Sequence, residues 1–119
     1  MSSGARLRNV LLLVKDVPSS VRFFRDGLGL RVASVTPRWA ELDTGGGGTP
    51  LELKATEGEA ATTAGYTPFL SFDVADLDTA VTSLIGLGAA LDGPVRHTPH
   101  GKAAALRSPD GHMLGLHEA

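Results

Sequence analysis

The feature that most constrains this chain is an internal repeat. Asp16 and Asp76 stand 60 positions apart, as do Val21 and Val81, and Gly27-Leu28-Gly29 precedes Gly86-Leu87-Gly88 by 59. Further along, Leu51-Glu52-Leu53 matches Leu114-Gly115-Leu116 at an offset of 63. The 119 residues therefore read as two copies of one unit of about 50 residues. Any fold assigned to the first copy has to serve the second as well.

The unit has a legible grammar. Residues 7–14 alternate with period 2, placing Val10, Leu12 and Val14 on one face and Asn9, Leu11 and Leu13 on the other; this is a strand apolar on both sides. Asp16 then precedes Val17-Pro18, and Val21, Phe24 and Leu28 recur at helical spacing. A cap and an early proline open such a helix, and Gly27 and Gly29 close it. Strands are expected at 30–35, 38–42 and 51–55, the last beyond the run Gly45 to Gly48. The second copy repeats the order with a strand at 69–74, a helix after Asp76 carrying Leu77, Val81, Leu84 and Ile85, and strands at 103–107 and 112–117 around Ser108-Pro109-Asp110-Gly111.

The fold class is therefore α+β, with two tandem βαβββ modules (about 6–56 and 66–119, joined by a linker at 57–65) making one domain over 1–119. Each module has a helix-covered face and an open one, so the pair is expected to set their open faces together as a curved, cup-shaped mixed sheet with the helices outside. Absence of cysteine removes disulfides, thiolate metal sites and a cysteine nucleophile. Eleven basic against thirteen acidic residues, with no block of like charge, argue against a nucleic-acid partner or a polybasic membrane anchor. The apolar run Val10–Val14 is too short to span a bilayer. A soluble, cytoplasmic protein with a small organic ligand is the expectation.

Residues 9–16 followed by 20–30, then Leu51-Glu52-Leu53, then Ser108-Pro109-Asp110-Gly111-His112, in that order and doubled frame, resemble the vicinal oxygen chelate superfamily. That group contains glyoxalase I, extradiol dioxygenases and the bleomycin-resistance proteins. The resemblance implies paired modules, frequent homodimers and a ligand inside the cup. It also implies a divalent metal on four inward side chains, one from the first and one from the last strand of each module. The matching positions here are Asn9, Glu52, Phe69 and Gly115. Only Glu52 offers a good ligand, and a lone carboxylate with a weak amide does not hold a hard divalent ion. No cofactor is expected; a displaced site that adds His117 to Glu52 and Asn9 is the disfavoured alternative.

Alternation assigns the cup wall to Asn9, Leu11 and Leu13 from one first strand and Phe69, Ser71 and Asp73 from the other. Trp39, Glu41, Glu52, Lys54, Ala103, Ala105, Arg107, Met113 and His117 complete it. Trp39 is the stacking candidate, against an edge-strand or interface role. Glu52 is the one catalytic candidate, as a general base or acceptor, against a remnant ligand paired with Lys54, Arg107 or another base. His97 and His100 read as loop residues lacking the helix that makes a zinc pair converge. The glycine run lacks the Gly-Lys-Ser/Thr of a phosphate loop, and no serine sits in a nucleophile elbow. The expected function is metal-independent binding or sequestration of a small molecule. The competing reading is a divergent lyase, isomerase or dioxygenase using Glu52 as base or as one ligand of a displaced metal site.

Overall fold

The structure, a computed structural model, describes residues 7–57, 65 and 68–119. Most of the expected linker therefore lies outside the described residues. The first module contains β1 (Val10–Val14), α1 (Val17–Leu28), β2 (Arg31–Thr36), β3 (Trp39–Asp43) and β4 (Leu51–Ala55). The second contains β5 (Phe69–Asp73), α2 (Leu77–Gly86), β6 (Ala90–Leu91), β7 (Arg96–Thr98), β8 (Gly101–Arg107) and β9 (Met113–Glu118).

The sheets have matching topology. The first runs β1-β4-β3-β2 and the second β5-β9-β8-β6, with β7 also pairing β8. β1 with β4 and β5 with β9 are parallel, and the remaining ladders are antiparallel. β6 and β7 are two pieces of one strand, the counterpart of β2, parted around Gly93-Pro94 where proline cannot donate to a ladder. This corrects the sequence reading at His97, which pairs with Lys102 in a hairpin. The short, polar pieces lack the apolar alternation that reveals a strand.

Each helix forms for local reasons. Asp16 accepts from Ser19 N and Asp76 accepts from Thr79 N, satisfying first-turn amides that have no partner within the helix. Glu118 on β9 accepts from Leu77 N at 2.7 Å and ties α2 to its sheet. The buried faces are Val17, Val21 and Phe24 on α1 and Leu77, Val81 and Leu84 on α2. They pack onto Leu12, Leu42 and Leu53 in one module and Leu106, Leu114 and Leu116 in the other, and one continuous core joins both. The helices meet where Gly27 lies against Leu84 and Leu87.

The turn between β8 and β9 reaches across to the first module. Asp110 accepts from Lys15 N at 3.1 Å and from Ser20 Oγ at 2.8 Å, with Ser20 only 4% exposed. Asp110→Ala leaves that hydroxyl without its partner and is expected to cost about 1.5–3 kcal/mol, read as a lower denaturant midpoint at unchanged slope. His112 follows this turn, and its ring faces the Leu13 carbonyl of β1. Its Nδ1 is buried without a hydrogen-bond partner. Burial holds His112 below its ordinary value of 6.5, against the opposing pull of the Asp110 charge and the Leu13 carbonyl. The unfolded chain therefore takes up the proton first as pH falls, so stability is expected to decline once pH drops below about 6.5 and through the lower folded value. Urea midpoints between neutral pH and about pH 5 should show this slope, and His112→Leu should remove its share.

Candidate functional site

The open face of the first sheet centres on Glu52. In β4, Leu51 and Leu53 point into the core, so alternation turns Glu52 outward. Its Oε1 accepts from Trp39 Nε1 at 2.8 Å, and its Oε2 accepts from the Asn9 side-chain amide. Leu11 lies beside it across the parallel ladder, and Glu41 lies opposite on β3. Like charges directly opposed disfavour one another; the two N–H donors on Glu52 offset this. Glu52 is thus not paired with Lys54 or Arg107 in the way the bland sequence reading allowed. Trp39 stands on β3, an inner strand, which removes the edge-strand alternative. Lys54 is exposed opposite Trp39. Asn9 lies one residue before β1, whose ladder starts at Val10 and so is shorter than the alternating pattern suggests.

The open face of the second sheet is a different surface. Phe69 is 44% exposed. With Ser71, Ala103, Ala105, Gly115 and His117 it lines a trough of about 450 Å³ whose floor is small residues. His117 Nδ1 lies 3.4 Å from Asp73 Oδ1, so His117 faces Asp73 and not Glu52, as the disfavoured displaced metal site would have required. A Cβ at Gly115 would lie 2.8 Å from Ser71 Oγ, so a larger residue there would have to turn the Ser71 hydroxyl aside. Arg107 donates to the Gly111 and Gly65 carbonyls and braces the β8–β9 turn. Met113, expected on the wall, is 1% exposed and offers no surface in this chain.

The sequence-derived set is therefore divided. Asn9, Leu11, Trp39 and Glu52 share one open face, and Phe69, Ser71, Asp73 and His117 share another. Neither cavity lined by Phe69 and Ser71 includes Asn9, Trp39 or Glu52. At the four positions where the resemblance places metal ligands stand one carboxylate already accepting from two N–H groups, one amide turned toward it, and a phenylalanine and a glycine whose side chains carry no ligating atom. That set does not fit a divalent ion. Among the described residues, no three His, Asp or Glu side chains converge.

Two features escaped sequence reasoning. One is His112, which the sequence reading placed only at the start of the last strand and whose ring here faces Leu13 of the other module. The other is a cavity of about 730 Å³ beside β5, partly lined by Leu28, Leu70 and Phe72, which the periodicity assigns to the helix-covered side. The available signal was the inequality of two corresponding turns, glycines in one copy and Pro109-Asp110 in the other.

Comparison with known proteins agrees with the fold. A glyoxalase-related enzyme from Fulvimarina pelagi superposes with a TM-score of 0.78 at 18% identity, covering 98% of this chain and 89% of that one. The fosfomycin resistance protein FosX from Mesorhizobium loti gives 0.75 at 20% identity, covering 100% and 94%. TnmS3, an antibiotic binding protein from Streptomyces sp. CB03234, gives 0.70 at 24% identity, covering 99% and 98%. No curated protein sequence matches the chain. No described helix is long and apolar enough to cross a membrane. The model of the Glyoxalase/Bleomycin resistance protein/Dioxygenase superfamily matches residues 6–116, and with its doubled βαβββ architecture the chain belongs to that superfamily.

Proposed function

We propose that this protein binds a small organic molecule without a metal, and that Trp39 is the aromatic wall of the site. The observation that carries this is the state of Glu52, whose two oxygens accept the Trp39 indole N–H and the Asn9 amide. A carboxylate so engaged orients an aromatic ring; to ligate an ion it would first have to give up both bonds. The names of two neighbours, an antibiotic binding protein and a fosfomycin resistance protein, support a small organic ligand.

The site is completed in a homodimer, where the Trp39 face of one protomer meets the Phe69 trough of its partner. Exposure of Leu11 at 48% and Phe69 at 44% on these open faces supports this arrangement, since apolar groups of that size favour cover. Two experiments test the proposal. Elemental analysis after incubation with Zn²⁺, Mn²⁺, Fe²⁺ and Ni²⁺ should find no stoichiometric metal, and metal that is lost in Glu52→Ala would refute the metal-free reading. Sedimentation equilibrium should give a dimer; a monomer at all concentrations would refute the shared cup.

A further inference from the structure

The two junctions between the modules correspond by the repeat but are not equally filled. The offset of 63 that aligns Leu51 with Leu114 places Thr49 at the position of His112, and Gly46 and Gly47 at those of Pro109 and Asp110. The offset of 60 places Asp73 at the position of Leu13. At the first junction the His112 ring lies at the β1 edge, facing the Leu13 carbonyl. Pro109 covers Gly88, and Asp110 bonds Lys15 and Ser20. At the second junction the corresponding residues are a threonine and two glycines, and the cavity of about 730 Å³ remains.

The open junction presents the same kind of edge carbonyl that faces His112 at the first. Thr56 N donates to the Val14 carbonyl, so the Val14 peptide faces β4 and alternation sends the Leu13 carbonyl to the free edge of β1. Val74 N donates to the His117 carbonyl, so by the same alternation the Ser71 and Asp73 peptide groups project from the free edge of β5. Both residues line the cavity. Leu28, Leu70, Phe72 and Val74, all partly exposed, supply apolar wall, while Thr44 and the Arg31–Asp43 ion pair border it with polar groups. An edge carbonyl beside apolar side chains suits a flat, apolar ring bearing one N–H.

We propose that this junction is a second ligand site, which shares Phe69, Ser71 and Asp73 with the second open face but none of Asn9, Trp39 or Glu52, and which takes an N–H-bearing heteroaromatic molecule. The ring stands where the equivalent of His112 would stand and donates to the Asp73 carbonyl. The volume falls in the range of small-molecule pockets, about 300–1,000 Å³, and exceeds one five-membered ring. A fused bicycle therefore fills it better. Indole is expected to bind at least about tenfold more tightly than imidazole, because its second ring buries further apolar surface.

Titration of ¹⁵N-labelled full-length protein with indole and with imidazole tests this. Saturable shifts are expected at the amides of Leu28, Leu30, Asp73 and Val74, with those of Trp39 and Glu52 unmoved. Thr49→His supplies the missing ring, and is expected to raise Tm and abolish the shifts. Leu28→Trp fills the cavity from another wall and serves if Thr49→His does not fold. Absence of saturable shifts, shifts confined to the Trp39 face, or undiminished indole binding in a folded cavity-filling variant would overturn the proposal. None of these readouts depends on the identity of the ligand at Trp39.

Discussion

Gly101→Ala is expected to destabilise the protein by at least about 3 kcal/mol, a value at the upper end for single substitutions. Gly101 opens β8 with φ +129°, a conformation that side-chain-bearing residues rarely adopt. A Cβ there would lie 2.0 Å from the Glu118 carbonyl oxygen. The obstacle is backbone, so no rotamer change relieves it. Relief requires the β8–β9 ladder to part at the Lys102–Glu118 pair, and Glu118 is also the residue whose carboxylate holds Leu77 N at the start of α2. The damage should therefore reach the helix as well as the sheet. Thermal denaturation checks this; a Tm close to that of the unmodified protein would contradict the geometry.

Glu52→Ala is expected to weaken ligand binding by about 10–100-fold, equivalent to about 1.4–2.8 kcal/mol, while costing the fold only about 1–2 kcal/mol. Removing the carboxylate deprives the Trp39 indole and the Asn9 amide of their acceptor, and the ring loses the bond that fixes its orientation. Relief from the opposed Glu41 offsets part of the loss. Glu52→Gln keeps one oxygen for Trp39 and is expected to hold affinity within about threefold, because the Asn9 amide can turn its oxygen toward the new NH₂ group. Trp39 is the sole tryptophan, so its fluorescence reports both the free ring and the bound ligand. This contrast separates the binding reading from a catalytic one. A Glu52 that served as general base would lose turnover as Gln while binding persisted.

The doubled architecture was legible in the sequence because each module is written by strong local signals. Asp16 and Asp76 cap helices at corresponding positions, and the leucines flanking Glu52 and Gly115 are buried in their strands. β6 and β7 were missed because two and three residues around Gly93-Pro94 carry no period. The open faces were also legible, since alternation is a local property, and it placed Glu52 and His117 outward correctly. Which outward residues meet is a tertiary matter. His117 shares a ladder position with Asp73, whereas Glu52 shares one with Leu11 and another with Glu41, and no spacing within either strand records that difference. Met113 shows the limit most plainly, because alternation gives its direction but not the cover that buries it. His112 shows the same limit, since the carbonyl its ring faces is 99 residues away in sequence.

The measurement that bears most directly on metal-free ligand binding is Trp39 fluorescence and Tm across a panel of small metabolites and antibiotics, run in EDTA and again with added divalent ions. A molecule that binds only the native protein must raise Tm with its concentration. At least one member should quench or shift Trp39 emission and raise Tm equally under both conditions, with both responses lost in Trp39→Ala. Responses that appear only with added metal, or in no member of the panel, would contradict the account.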